Sequence, residues 1–377
     1  MDISISLTPI FLLMTLVVLY LPTKETPLDW TKVTQVIGNI EQVAKRAYLD
    51  VSYFLGFREE EYSVSFDTSD EDDSLGGTLQ QSDDICLRVI GNRTEDNLYI
   101  VGNYFNEYTG KNWLKDDSKL EYSNEEYRLD SLQLMKAFEN QGYSEDEIND
   151  FAKYKTITLE YVNIRTTTLF TVGNLYEIEG DTVFNSDTTN VLFDKSRGNG
   201  DNYKLRFLEV DYSNPLVTET IKENKQNYSS YDEEMKDIIE ARDAYIEANY
   251  SYLPDTVPDR VYDLTQDITE EYSNDYDKLR AIEEYLRTYP YTKTPKDIEN
   301  KDFVDGFLFE AQEGYCTYYA SAMAVMARCI HIPTRYVEGY VVDYSDSDGI
   351  ENYNVTGRKA HAWTEAYIEG IGWVPFE

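Results

Sequence analysis

A short glycine-cysteine segment followed by alanine-rich helix constrains this chain more than any other feature. From Phe307 to Tyr340 the sequence runs F-L-F-E-A-Q-E-G-Y-C-T-Y-Y-A-S-A-M-A-V-M-A-R-C-I-H-I-P-T-R-Y-V-E-G-Y. After an acidic loop it closes on R-K-A-H-A-W-T-E-A-Y-I-E-G-I-G-W-V-P-F-E. Gly314 and Tyr315 read as a turn, and Cys316 as the first turn of a helix running to about Cys329. Pro333 marks the stop, because proline cannot continue the hydrogen-bond ladder. A thiol at a helix N-terminus sits at the positive end of the macrodipole, which favours the nucleophilic thiolate. Cys329, at the other end of the same helix, has the dipole against it and reads as structural. On the residues alone, Cys316 is equally readable as a small side chain buried at a helix start.

A base for Cys316 can be sought by elimination. The chain has two histidines, His331 and His361, and three cysteines, Cys86, Cys316 and Cys329. His331 follows the helix end, roughly 22 Å from the thiol at the usual helical rise. His361 opens a strand-like run in which His361, Trp363, Glu365 and Tyr367 share one face. Any histidine base is therefore His361. A third group should hold the imidazole in its working tautomer. Gly370-Ile371-Gly372 turns the strand back, so W-V-P-F-E is its expected antiparallel neighbour. The simplest two-residue loop sets Glu377 opposite Thr364, about 10 Å along the strand from His361. Glu365 is the rival acid.

With these blocks quoted, the chain resembles the transglutaminase-like superfamily, papain-like cysteine acyltransferases and peptidases, and within it the bacterial membrane-anchored type. The carrying motifs are G-Y-C-T-Y-Y-A-S-A, I-P-T-R-Y-V-E-G-Y, A-H-A-W-T-E-A-Y and G-W-V-P-F-E. L-P-D-T-V-P-D-R-V and D-K-L-R-A-I-E-E-Y-L-R-T-Y-P-Y-T match the family's helical lead-in. The resemblance covers roughly Tyr252 to Glu377. It implies Cys316 as nucleophile, His361 as base and then acid, and Glu377 as orienting carboxylate, where the family usually has Asp. It also implies an extracytoplasmic site acting on a protein or peptide substrate through a thioester. Gln312 and Tyr315 are candidate donors to the oxyanion beside the Cys316 backbone N–H, and Trp363, with Trp373, is a candidate for lining the site against water. Three readings follow: an acyltransferase of transglutaminase type, a cysteine peptidase or amidase acting on wall peptide or protein, and a scaffold of the same fold without activity.

Composition narrows the partners. Against 34 basic residues stand 71 acidic ones, a net charge of −37. Such a chain repels nucleic acid. Three scattered cysteines make neither a disulfide framework nor a zinc signature, so no metal site is expected. No cofactor is called for. Calcium stays open only because some family members need it, and the loop Asp343 to Glu351 fails the EF-hand spacing.

Along the chain the reading is α+β. Residues 1–22 hold a transmembrane helix, since Ile5 to Leu21 is uncharged over the lower limit of a bilayer span. Residues 23–55 form a juxtamembrane segment with an amphipathic helix over Thr31 to Tyr48. Residues 56–215 form a β-rich extracytoplasmic domain, opening on the acidic stretch Glu59 to Asp84. Recurrent short strands there predict an antiparallel sandwich, interrupted by a helix around Ser131 to Tyr154. Residues 216–377 form the transglutaminase-like core, with helices over Asp232 to Tyr250 and Leu264 to Tyr289 before the cysteine helix. That core is expected to be truncated at Glu377, a strand short of a complete domain.

Overall fold

The computed structural model describes residues 75–76, 81–91, 94, 97–115, 126–179, 184–187, 190–223, 231–298, 300–342 and 352–377. The expected span Ile5 to Leu21, the amphipathic helix Thr31 to Tyr48, most of the stretch Glu59 to Asp84 and the loop Asp343 to Glu351 lie outside them. Among the described residues no helix is long and apolar enough to cross a membrane.

The strands are β1 (Ile85–Ile90), β2 (Leu98–Phe105), β3 (Glu107–Tyr108), β4 (Trp113–Leu114), β5 (Ala152–Tyr161), β6 (Thr166–Thr168), β7 (Thr171–Val172), β8 (Leu175–Glu179), β9 (Phe184–Asp187), β10 (Asn190–Arg197), β11 (Asn202–Val210), β12 (Thr334–Val342), β13 (Asn352–Thr356), β14 (Ala360–Ile368) and β15 (Gly372–Phe376). Two five-stranded antiparallel sheets dominate, ordered β13-β1-β5-β11-β8 and β15-β14-β12-β2-β7. Leu87, Leu159 and Leu205 of the first sheet and Ile100, Tyr340 and Val342 of the second share one buried cluster, so the sheets face each other as a sandwich.

The cut expected between residues 215 and 216 does not divide these sheets. Strand β2 comes from the earlier segment, yet it pairs with β12, with Tyr336 opposite Phe105 and Val342 opposite Leu98. In the other direction β13 leaves the cysteine-bearing segment to pair with β1. Long-range pairing of this kind is decided by which faces need covering, which local patterning does not reveal.

Helices cover the other face of the second sheet. They are α1 (Leu129–Gln141), α2 (Glu145–Phe151), α3 (Pro215–Glu223), α4 (Glu233–Tyr250), α5 (Asp259–Thr269), α6 (Asp275–Leu286), α7 (Phe303–Gly306, continued by one π turn) and α8 (Cys316–Cys329). The helix expected over Ser131 to Tyr154 is two. Gly142 takes a left-handed conformation with φ 87°, which ends α1, and Ser144 opens α2 with a capping box to Glu147. The helix expected over Leu264 to Tyr289 is also two, because Asn274 accepts from the Asp277 N–H and starts α6 afresh.

Alpha-8 is buried nearly all round: all of its residues except Tyr319 are buried. Its small residues let it lie close on the sheet, where the Thr364 hydroxyl of β14 donates to the Ala320 carbonyl at 2.6 Å. This packing aims the helix N-terminus at the edge where β14 begins and β15 ends.

Candidate active site

The turn before Cys316 is fixed sterically. A Cβ on Gly314 would stand 2.5 Å from the Tyr318 ring, so only glycine lets the chain enter α8 here. Tyr315 caps the helix in an extended conformation and buries its ring, with its hydroxyl donating to the Gly76 carbonyl at 3.1 Å. Cys316 is 5% exposed and forms one wall of a cavity of about 330 Å³.

His361 enters from β14, directly opposite Gly339 of β12. Gly339 permits the close approach of β2, since a Cβ would fall 1.9 Å from the Ile100 carbonyl oxygen. The imidazole Nε2 lies 2.5 Å from Glu377 Oε1. The same imidazole and the Cys316 thiol line one cavity. With Nε2 committed to the carboxylate, Nδ1 is the nitrogen left for sulfur. Burial works against the imidazolium. The hydrogen bonds and charges of Cys316 and Glu377 outweigh it and hold the His361 pKa up at about 10. For Glu377, burial opposes ionisation, yet the bond to His361 keeps its carboxyl below the usual value.

Glu377 gets within reach by register. Thr364 pairs with Phe376, one residue away from the simplest-loop expectation, so Glu377 continues opposite Trp363. A long side chain there meets His361 on the diagonal, a separation glutamate can cover. Its second oxygen accepts from the Tyr99 hydroxyl. Helix α6 pins its backbone: the Arg287 guanidinium donates to the Glu377 carbonyl at 2.8 Å, and the Glu377 N–H donates to Glu283 at 3.0 Å. The rival Glu365 is engaged elsewhere. Arg335 holds it at 2.5 Å, and the Trp363 indole donates to it at 3.2 Å.

The other sequence candidates divide. Trp363 lines the cavity. Gln312 turns back on its own π turn, donating to the Leu308 carbonyl at 3.3 Å, and Tyr315 points at Gly76, so neither side chain faces the cavity. Trp373 packs instead with Tyr250 and Tyr367 and is capped by Arg335 at 4.3 Å. Burial drives the Cys329 thiol up to about 12, as fits a core residue. No cluster of three or more metal-ligating side chains occurs among the described residues.

Several residues at the site carried no sequence expectation, among them Tyr99, Glu283, Arg287 and Tyr291. Tyr291 follows Pro290, read only as a helix stop, yet it lines the same cavity as Cys316 and His361. Its signal was an aromatic placed immediately after that stop, in a stretch matching the family's lead-in.

One cavity thus brings together a buried thiol, an imidazole and a carboxylate, on a cysteine helix packed against antiparallel strands. The family model described as Transglutaminase-like superfamily matches residues 262–377. That match spans Cys316, His361 and Glu377.

Relatives extend the likeness beyond that segment. Bacillus subtilis YebA is 26% identical over 321 residues, covering 81% of this chain and 40% of YebA. The protein-glutamine gamma-glutamyltransferase of Pseudomonas aeruginosa is 38% identical over 87 residues, 23% of this chain and 13% of that protein. The chain thus spans less than half the length of either. The crystal structure of the periplasmic domain of TgpA from Pseudomonas aeruginosa superposes with a TM-score of 0.53, covering 80% of this chain and 93% of that one. At 17% identity that is a likeness of fold.

Proposed function

We propose that the chain is a membrane-anchored, extracytoplasmic cysteine acyltransferase of transglutaminase type. The observation that carries the reading is the single cavity lined by Cys316, His361 and Glu377, in which the imidazole Nε2 lies 2.5 Å from the Glu377 carboxylate. The likeness to a periplasmic domain supports placement outside the cytoplasm, and the uncharged run Ile5 to Leu21 supports the anchor.

The chemistry follows from the charges. Cys316 sulfur attacks a glutamine carboxamide or peptide carbonyl, and the carbonyl electron pair moves to oxygen beside the Cys316 N–H. As the intermediate collapses, His361 gives its proton to the departing ammonia or amine, leaving a thioester on sulfur. An incoming amine then loses a proton to His361 and takes the acyl group. Glu377 holds the ring and balances its positive charge throughout.

Incubation of the full chain with carbobenzoxy-glutaminyl-glycine and dansylcadaverine tests this. The expected products are ammonia and a fluorescent amide. Ammonia without the amide would make the protein an amidase, and neither product would remove the acyl-transfer reading.

A further inference from the structure

We infer that the cavity between the β3–β4 hairpin and the end of α4 is a saccharide-binding site, at the opposite end of α8 from the thiol. The inference goes beyond acyl transfer and does not rest on it.

The walls of this cavity of about 460 Å³ come from two segments that one buried cation holds in place. In the hairpin, Glu107 pairs with Leu114 and Tyr108 with Trp113. Alternation turns Tyr108 and Trp113 inward, where the Trp113 indole donates to the Ser321 hydroxyl of α8 at 3.0 Å. Glu107 and Leu114 are thereby turned out, and both line the cavity, with Leu114 45% exposed. Arg328, stacked on Trp113, donates to the Asn106 carbonyl on this wall and to the Tyr252 carbonyl on the facing one. Arg328 stands ~18 Å along α8 from Cys316 at the helical rise. No residue lines both this cavity and that of Cys316 and His361.

The chemistry of the lining selects the ligand. Both backbone groups of Asn106 are engaged, the N–H with the Leu114 carbonyl at 3.2 Å and the carbonyl with Arg328. An extended peptide therefore finds no open strand edge at Asn106. Glu107 and Lys115 contribute one negative and one positive group, which favours a ligand without net charge. Lys115 is steered over the Phe105 ring at 5.8 Å. Asn106 and Asn249 contribute amides, which donate and accept at once, as hydroxyl and acetamido groups do. Asn249 gives an N–H to the Tyr245 carbonyl at 2.8 Å, which leaves its oxygen to accept. Asn106 is only 7% exposed, yet its amide makes no hydrogen bond among the described residues, and its oxygen is buried. A buried amide without partners is costly, and a ligand hydroxyl would supply one. Tyr252 completes the set. The residue is 59% exposed beside these amides, so its ring is a platform for the C–H face of a pyranose.

Calorimetric titration of the full chain with tri-N-acetylchitotriose and with cellotriose tests the assignment. Saturable binding of either sugar is expected. Tyr252→Ala should weaken it about tenfold or more, because the apolar face of the ring is lost. Tyr252→Phe keeps that face and should bind within about threefold of wild type. The Tyr252 carbonyl, not its side chain, meets Arg328, so neither change removes that anchor, and an unchanged melting temperature checks the fold. Cys316→Ala should bind like wild type, which keeps this result apart from the fate of the acyl-transfer reading. Saturation by N-acetyl-trialanine amide and by neither sugar would make the cavity a peptide site. No saturable binding at all would leave water as the partner of Asn106, and sugar binding undiminished in Tyr252→Ala would place the sugar elsewhere. Each of these three results overturns the inference.

Discussion

Replacing Cys316 with alanine is expected to lower acyl transfer by about 10⁴-fold or more, the scale seen when a covalent nucleophile is removed. No neighbour can substitute. Cys329 lies at the far end of α8, roughly 20 Å away at the helical rise, and its buried thiol is driven up to about 12. The same substitution at Cys329 should leave turnover within about twofold of wild type. Rates of amide formation in the three chains, with circular dichroism to confirm folding, check the pair. Equal activity in the Cys316→Ala chain would move the chemistry elsewhere.

The largest effect on stability is expected at Arg328. This side chain is 2% exposed, and its contacts are carbonyls, a hydroxyl and an aromatic face, with no carboxylate among them. It donates to the Thr334 hydroxyl at 3.1 Å and to the carbonyls of Thr334, Asn106 and Tyr252 at 2.6, 2.7 and 2.9 Å. The guanidinium also stacks on Trp113 at 5.1 Å. One cation therefore ties α8 to the start of β12, the loop after β2 and the segment after α4. Arg328→Met keeps much of the apolar volume but takes the guanidinium donor from two buried carbonyls and one part-buried carbonyl. At about 1–3 kcal/mol for each unmet group, partly relieved by relaxation, the loss should be on the order of 3–6 kcal/mol. Arg328→Lys should recover only part of it, because an ammonium lacks the planar fork. Urea unfolding reads the shift in midpoint, and a loss below about 1 kcal/mol would show that water replaces the guanidinium.

How much of this was legible follows from the range of each interaction. The bounds of α8 could be read because a glycine turn, an alanine-rich run and Pro333 are local signals. His361 could be assigned because only two histidines exist and one lies at the wrong end of the helix. Glu377 was harder, since a single residue of register decides its distance. The sequence shows the turn residues Gly370 and Gly372 but not how the loop closes. Tyr291 escaped because its partner is Gly314, across the α7 region, and the bridge between them sets Tyr291 at the cavity that Cys316 lines. The shared sheets escaped for the same reason: β2 and β12 are each plausible strands, but nothing local pairs them. Gln312 and Tyr315 were chosen for nearness in sequence to Cys316, and local geometry turned both away.

The ionisation of His361 tests the central arrangement most directly. Burial alone would favour the neutral ring, so a raised pKa must come from the thiol and the carboxylate. An NMR titration of the full chain should find the imidazolium persisting to about pH 10. In Cys316→Ala or Glu377→Gln one of the groups favouring the cation is lost, so the midpoint should fall in each, and the proton should leave at lower pH. A His361 that titrates at its ordinary value of 6.5 in the wild type, unmoved by either substitution, would contradict the account.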